Sequence, residues 1–178
     1  MGLRREIMVA MHQIRKVRSK LAYQLAAVEQ KEKDLMSKLI QAQTQGDQLR
    51  SKVYANEIAN LRKVRANLMI LDVKLEQALL RLETALTFGD AAAGLLNIAG
   101  EVKVTVEKAK EFLPNMQEEL EGLVESLEEV STEGMGTMSY SGVYLDPEAS
   151  KILEEAKSIA ESKLRAMMES EEGEASGA

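Results

Sequence analysis

The chain has 178 residues with a formal net charge of −6, but the charge is divided along its length. Residues 1–82 hold 16 of the 23 Lys and Arg and 8 of the 29 Asp and Glu, a balance of +8, and the remainder carries −14. Aromatic residues make up only 3%, and Trp and Cys are absent, which excludes disulfides and thiolate metal sites and speaks against a compact, aromatic-filled enzyme core. Ala, Leu, Glu, Lys, Gln and Met dominate, the composition of long helices, so the expected class is all-α.

The first element runs through Ile7, Met11, Ile14, Leu21, Leu25, Val28, Leu35 and Leu39 at four-three spacing. Arg18 and Glu32 fall where that seam expects apolar residues. A break follows at Thr44-Gln45-Gly46-Asp47. The second run takes Leu61, Val64, Leu68, Leu71, Leu75, Ala78, Leu82 and Ala85. Two helices of about 40 residues, roughly 60 Å each, joined by a short turn predict an antiparallel hairpin over 3–88. Ala55, Ala59, Ala66 and Ala78 are expected at its close approach.

Gly89, Gly94 and Gly100 interrupt an Ala/Leu-rich stretch, and each glycine costs a helix about 1 kcal/mol relative to Ala. Residues 88–100 therefore read as a hinge. Shorter helices follow over 101–130: Val102, Val106, Ala109 and Leu113 form one apolar face. Pro114 interrupts, and Met116, Leu120, Leu123, Leu127 and Val130 form another. The outer face of the latter is acidic, through Glu118, Glu119, Glu121, Glu125, Glu128 and Glu129. Residues 1–130 make one helical core. The Gly/Ser/Thr-rich 131–145 reads as a flexible linker. Asp146-Pro147-Glu148 opens a C-terminal regulatory helix over 146–168, and 169–178 reads as a disordered acidic tail.

Little here points to catalysis. His12 is the only histidine and lies in a basic helix without an acidic neighbour. Gly89 and Gly94 have the gap of a phosphate loop, but Leu95-Leu96 stand where Lys-Ser/Thr is required. No metal site, cofactor or small-molecule substrate is expected, and the Glu clusters read as solvated faces. No apolar run approaches the roughly 20 residues that span a bilayer. What stands out is basic: Arg4, Arg5, Arg15, Lys16, Arg18 and Lys20 against one acid, Glu6. This is a candidate surface for an anionic membrane, strengthened by avidity in a polymer. Sparse aromatics argue against nucleic acid. On the last helix, Ile159, Ala160, Lys163, Leu164 and Met167 form a candidate partner-binding face.

The stretch Val53-Tyr54-Ala55-Asn56-Glu57-Ile58-Ala59-Asn60-Leu61-Arg62-Lys63 resembles its equivalent in archaeal CdvB-type proteins. Leu80-Arg81-Leu82-Glu83-Thr84 with Phe88-Gly89-Asp90 is similar to the same family. These belong to the ESCRT-III superfamily of membrane-remodelling polymers, and the resemblance covers about residues 5–130. It implies a homo-polymer that also contains paralogous subunits, on an anionic membrane surface. It implies autoinhibition by the acidic C-terminal region and remodelling by an AAA-type ATPase carrying an MIT domain. A cytoplasmic location follows, peripheral at the inner membrane or division site, in cell division or vesicle budding. The family's C-terminal Leu-x-x-Arg-Leu-x-x-Leu-like motif is degenerate here: Ala160, Lys163 and Met167 replace Leu, Arg and Leu. Without an N-terminal amphipathic segment or a winged-helix module, the chain resembles the shorter paralogues. The rival readings are a PspA-like membrane-stress coat and a coiled-coil adaptor or nucleic-acid-binding protein without a lipid role.

Overall fold

The computed structural model describes residues 2–89, 95–134 and 146–177, all-α and without a strand among them. Among the described residues the five α-helices are α1 (Leu3–Thr44), α2 (Gln48–Phe88), α3 (Leu95–Ala109), α4 (Gln117–Gly134) and α5 (Pro147–Ser176). Two 3-10 turns, Lys110–Phe112 and Pro114–Met116, join α3 to α4. The chain divides into two units, 1–141 and 142–178, each described by itself.

Helix α1 ends because Gly46 adopts φ +72°, which carries the backbone out of the right-handed helix. The N–H of Asp47 then donates to the carbonyl of Ala42 at 2.9 Å and that of Gly46 to Gln43 at 3.1 Å, which satisfies the last carbonyls. Asp47 also starts α2, its carboxylate accepting the Arg50 N–H at 3.1 Å. A helix end and a helix start share three residues, so α2 returns along α1. The pairs confirm the direction: Arg18 meets Asp72, whereas Glu32, further along α1, meets Arg62, earlier in α2.

The hairpin then acquires two more layers over half its length. The 3-10 turns form around Pro114, which forces Leu113 out of the helical region (φ −131°, ψ 56°) and reverses the chain. Helix α4 lies antiparallel to α3, with Lys103 to Glu128 at 3.3 Å and Lys110 to Glu121 at 3.2 Å. It also lies antiparallel to α1, with Ser126 Oγ donating to Gln13 Oε1 at 2.7 Å and Lys20 bonded to Glu119. Helix α3 packs on α2. The buried core is shared by α1 up to Leu21, α2 from Leu68, and α3 and α4 through Ile98, Val102, Val106, Leu113, Leu120, Leu123 and Leu127. Beyond it, α1 and α2 continue as a two-helix rod in which Glu32, Ala42, Ser51 and Ile58 are buried.

Several expectations need correction. Helix α3 begins at Leu95 rather than at 101, so Gly100 lies inside a helix whose Ile98, Ala99 and Val102 are buried, and that packing outweighs one glycine. Helix α4 continues to Gly134, into the expected linker, whose residues 135–145 lie outside the described ones. Ala55, Ala59 and Ala66 occupy exposed positions, and of the four alanines only Ala78 is buried in the seam. Helix α5 runs through 169–176, read in sequence as disordered tail. Once a helix is nucleated each residue adds a hydrogen bond, and four Glu and one Ala among residues 169–176 extend it at little cost despite Gly173. Its start is as expected, with Pro147 in the first turn and Asp146 Oδ1 accepting from the Glu148 N–H at 2.8 Å.

Gly46→Ala tests the turn. Nothing lies within 4 Å of an added Cβ, so the penalty is conformational only. A loss of about 1–2 kcal/mol in urea denaturation is expected, without loss of helix content. Truncating Leu123, which is fully buried, to Ala should cost about 2–5 kcal/mol in the same assay.

Candidate membrane-facing surface and the charges of the hairpin

The six basic residues singled out near the N-terminus separate into two groups. Arg4, Arg5, Arg15 and Lys16 are exposed. Helical spacing puts Arg5 and Lys16, with His12, Ser19 and Tyr23, on the side of α1 opposite the buried Ile7, Ile14 and Leu21, and Arg4 and Arg15, with Met8, on the adjoining flank. Met8, Val9 and Tyr23 are 54%, 46% and 76% exposed, so this face mixes cations with apolar side chains. Arg15 reaches Glu83 at 3.7 Å, with both side chains about half in solvent, an ion pair that contributes little. The sole acid of the segment, Glu6, is half-buried and points one carboxylate oxygen inward.

Arg18 and Lys20 are turned elsewhere. Arg18 Nε donates to Asp72 Oδ1 at 2.9 Å and Nη2 to Oδ2 at 3.4 Å, with Glu76 at 3.7 Å. This two-pronged bond raises the guanidinium's pKa above its ordinary value, the Asp72 hydrogen bond outweighing burial. Lys20 donates to Glu119 of α4. Both are internal pairs of the fold rather than members of the outward face.

Glu32 is the second polar residue in the seam, and its partners were not identified from sequence. Arg62 Nε donates to Oε1 at 2.6 Å and Arg65 Nη1 to Oε2 at 2.7 Å. The Arg62 bond, aided by the charge of Arg65, holds the carboxyl below its ordinary value of 4.5. The signal was present in the sequence: an acid in an apolar seam needs cations opposite, and α2 supplies them one turn apart.

Of the glycines assigned to the hinge, Gly89 ends α2 with φ +100°, its N–H donating to Ala85 at 3.0 Å. Gly100 is inside α3, and Gly94 lies outside the described residues. On α5, Ile159, Ala160, Lys163, Leu164 and Met167 share one side of the helix and are exposed, Leu164 and Met167 by 59% and 66%. Among the described residues no group of three His, Cys, Asp or Glu is placed to hold a metal ion. No helix among them is long and apolar enough to cross a membrane.

The chain is similar to cell division protein B1 of Sulfolobus acidocaldarius, 32% identical over 166 residues that cover 92% of this chain and 77% of the relative. It is also similar to cell division protein B of the same organism, 27% identical over 144 residues, 78% of this chain. The match spans only 54% of that relative's length. No protein-family model matches the chain, and no solved structure does.

Because Glu32 titrates below its ordinary value when folded, its pair is fully stabilising above pH 4.5 and is lost as pH falls through the depressed value. Glu32→Gln should therefore lower stability near neutral pH and flatten its decline on acidification, as read by denaturation midpoints from about pH 7 to about pH 3.

Proposed function

Since the chain belongs to the archaeal CdvB-like paralogues of the ESCRT-III superfamily, we propose that it polymerises on an anionic membrane and drives remodelling and scission in cell division. Its cell-division relatives support a structural, non-catalytic role and paralogous subunits as partners. The observation that carries the membrane reading is the outward face of α1, where Arg4, Arg5, Arg15 and Lys16 stand beside exposed Met8, Val9 and Tyr23. Cations near an anionic bilayer contribute about 1 kcal/mol each, and apolar side chains between them enter the headgroup region. A single copy binds weakly, and a polymer multiplies the same contact.

Regulation follows from the arm formed by α3 and α4. In this conformation it lies on the hairpin and covers the apolar sides of α1 and α2. Its release, by a change of backbone at Gly89, frees those sides for neighbouring subunits. An AAA-type ATPase with an MIT domain is the proposed partner for α5, through Ile159, Ala160, Lys163, Leu164 and Met167. The location is peripheral, at the inner membrane surface of the division site.

Two experiments test this reading. Arg4→Ala/Arg5→Ala/Lys16→Ala should weaken co-sedimentation with phosphatidylserine-rich vesicles by on the order of 100-fold at low salt, about 3 kcal/mol. Equal binding by the variant and the parent, or no binding by the parent at low salt, refutes the membrane role. Gly89→Ala should favour continuation of α2, since Ala is strained at φ +100° and prefers the helix by about 1 kcal/mol. A larger hydrodynamic radius or faster assembly is expected, and unchanged values for both argue against the hinge.

A further inference from the structure

Where the 3-10 turn Pro114–Met116 meets α1, the two leave a cavity of about 370 Å³ between them. Ser19, Lys20, Tyr23 and Gln24 line it from α1, and Asn115 and Met116 from the turn. The volume falls within the roughly 300–1,000 Å³ of small-ligand sites. Met116 is buried, and the five polar residues all reach solvent. Lys20, bonded to Glu119 just beyond the turn, ties the two walls together.

Four of the polar groups are uncharged: the hydroxyls of Ser19 and Tyr23 and the amides of Gln24 and Asn115. Each can both donate and accept a hydrogen bond. Among the described residues none of these four side chains is hydrogen-bonded to another protein group. The one charged lining residue, Lys20, is balanced by Glu119. Such a cavity offers little to a bare anion and much to a ligand with several hydroxyls. Tyr23, 76% exposed, adds a flat apolar ring, against which the C–H face of a ring polyol can pack.

The position of the cavity adds a second requirement. Ser19 and Tyr23 belong to the outward side of α1, as does Lys16, exposed one turn before Ser19 and Lys20. One turn is about 5.4 Å along the helix, so a phosphate attached to the polyol reaches Lys16 while the hydroxyls occupy the cavity.

We propose that this cavity recognises a phosphate ester of a polyol, of the inositol phosphate kind, carried by a lipid headgroup or free in solution. For the lipid source it rests on the membrane role proposed above. There it turns a general attraction of cations to anionic lipid into a preference among headgroups of equal charge.

Co-sedimentation at low salt tests this with vesicles of equal charge, phosphatidylinositol or phosphatidylserine at the same mole fraction in phosphatidylcholine. The parent should bind the phosphatidylinositol vesicles about five- to tenfold more tightly, the worth of one or two hydrogen bonds. Gln24→Ala/Asn115→Ala should remove that preference. Asn115 is exposed and Gln24 half-buried, so neither supports the core. Calorimetry with soluble inositol 1-phosphate, without vesicles, separates the two sources. Heat from the parent and none from the variant shows that the cavity takes the free ester as well. A vesicle preference without such heat assigns it to the headgroup alone. Equal binding of the parent to both vesicles, with no heat, overturns the inference and leaves the membrane role standing. A preference that survives in the variant places recognition elsewhere and also overturns it. Binding to neither vesicle refutes the membrane role, and the calorimetry then decides the cavity by itself.

Discussion

Two helices lying side by side can bury only the stripe each turns to the other. The rest of the structure depends on that constraint. A rod of two helices about 60 Å long has a seam but no interior. Over its first half, α3 and α4 close the groove and create one, so that Ile14, Leu21, Leu71, Leu75, Leu120 and Leu123 become fully buried. Over its second half the same hairpin relies on the short turn at Gly46, a few buried side chains and the charges of Glu32, Arg62 and Arg65. Stability is therefore concentrated at one end, and the layer that supplies it, α3 and α4, follows the hairpin in the chain.

The same constraint explains which parts were legible in sequence. Where one face is buried, apolar spacing records it, and Val102, Val106, Leu113, Met116, Leu120, Leu123, Leu127 and Val130 are all buried as their period implies. The turn at Thr44–Asp47 was legible because Gly and Asp do there what few other residues can. The spacing of Ala55, Ala59 and Ala66 misled, since small residues mark a close approach only if they face the partner, and the seam runs instead through Ile58 and Leu68. Gly100 misled for the converse reason, its helix being held by neighbours rather than by propensity. Helix extension at 169–176 depends on nucleation upstream, which a composition reading of the tail does not see.

The candidate surface was legible only in outline. Clustering of Arg and Lys between residues 4 and 20 was plain, but whether a cation faces solvent or a carboxylate depends on a partner 54 or 99 positions away. Arg18 carried a hint, because it interrupted the seam, and Glu32 carried the same hint with the opposite sign. Lys74 and Glu101 carried none: nothing local distinguishes them from solvated charges, and their burial follows from tertiary packing of α3 on α2.

The division of charge along the chain also takes a different meaning. An acidic half is expected to cover a basic one, yet two of α4's acids are turned on lysines of their own arm, Glu121 on Lys110 and Glu128 on Lys103. Across to the hairpin, Glu119 on Lys20 and Glu101 on Lys74 link α4 and α3 to the basic half. Helix α4 docks on the side of α1 that carries Gln13 and Lys20, and Arg4, Arg5, Arg15 and Lys16 remain in solvent with the arm in place. The arm thus shields the hairpin's apolar sides and not its outward cations.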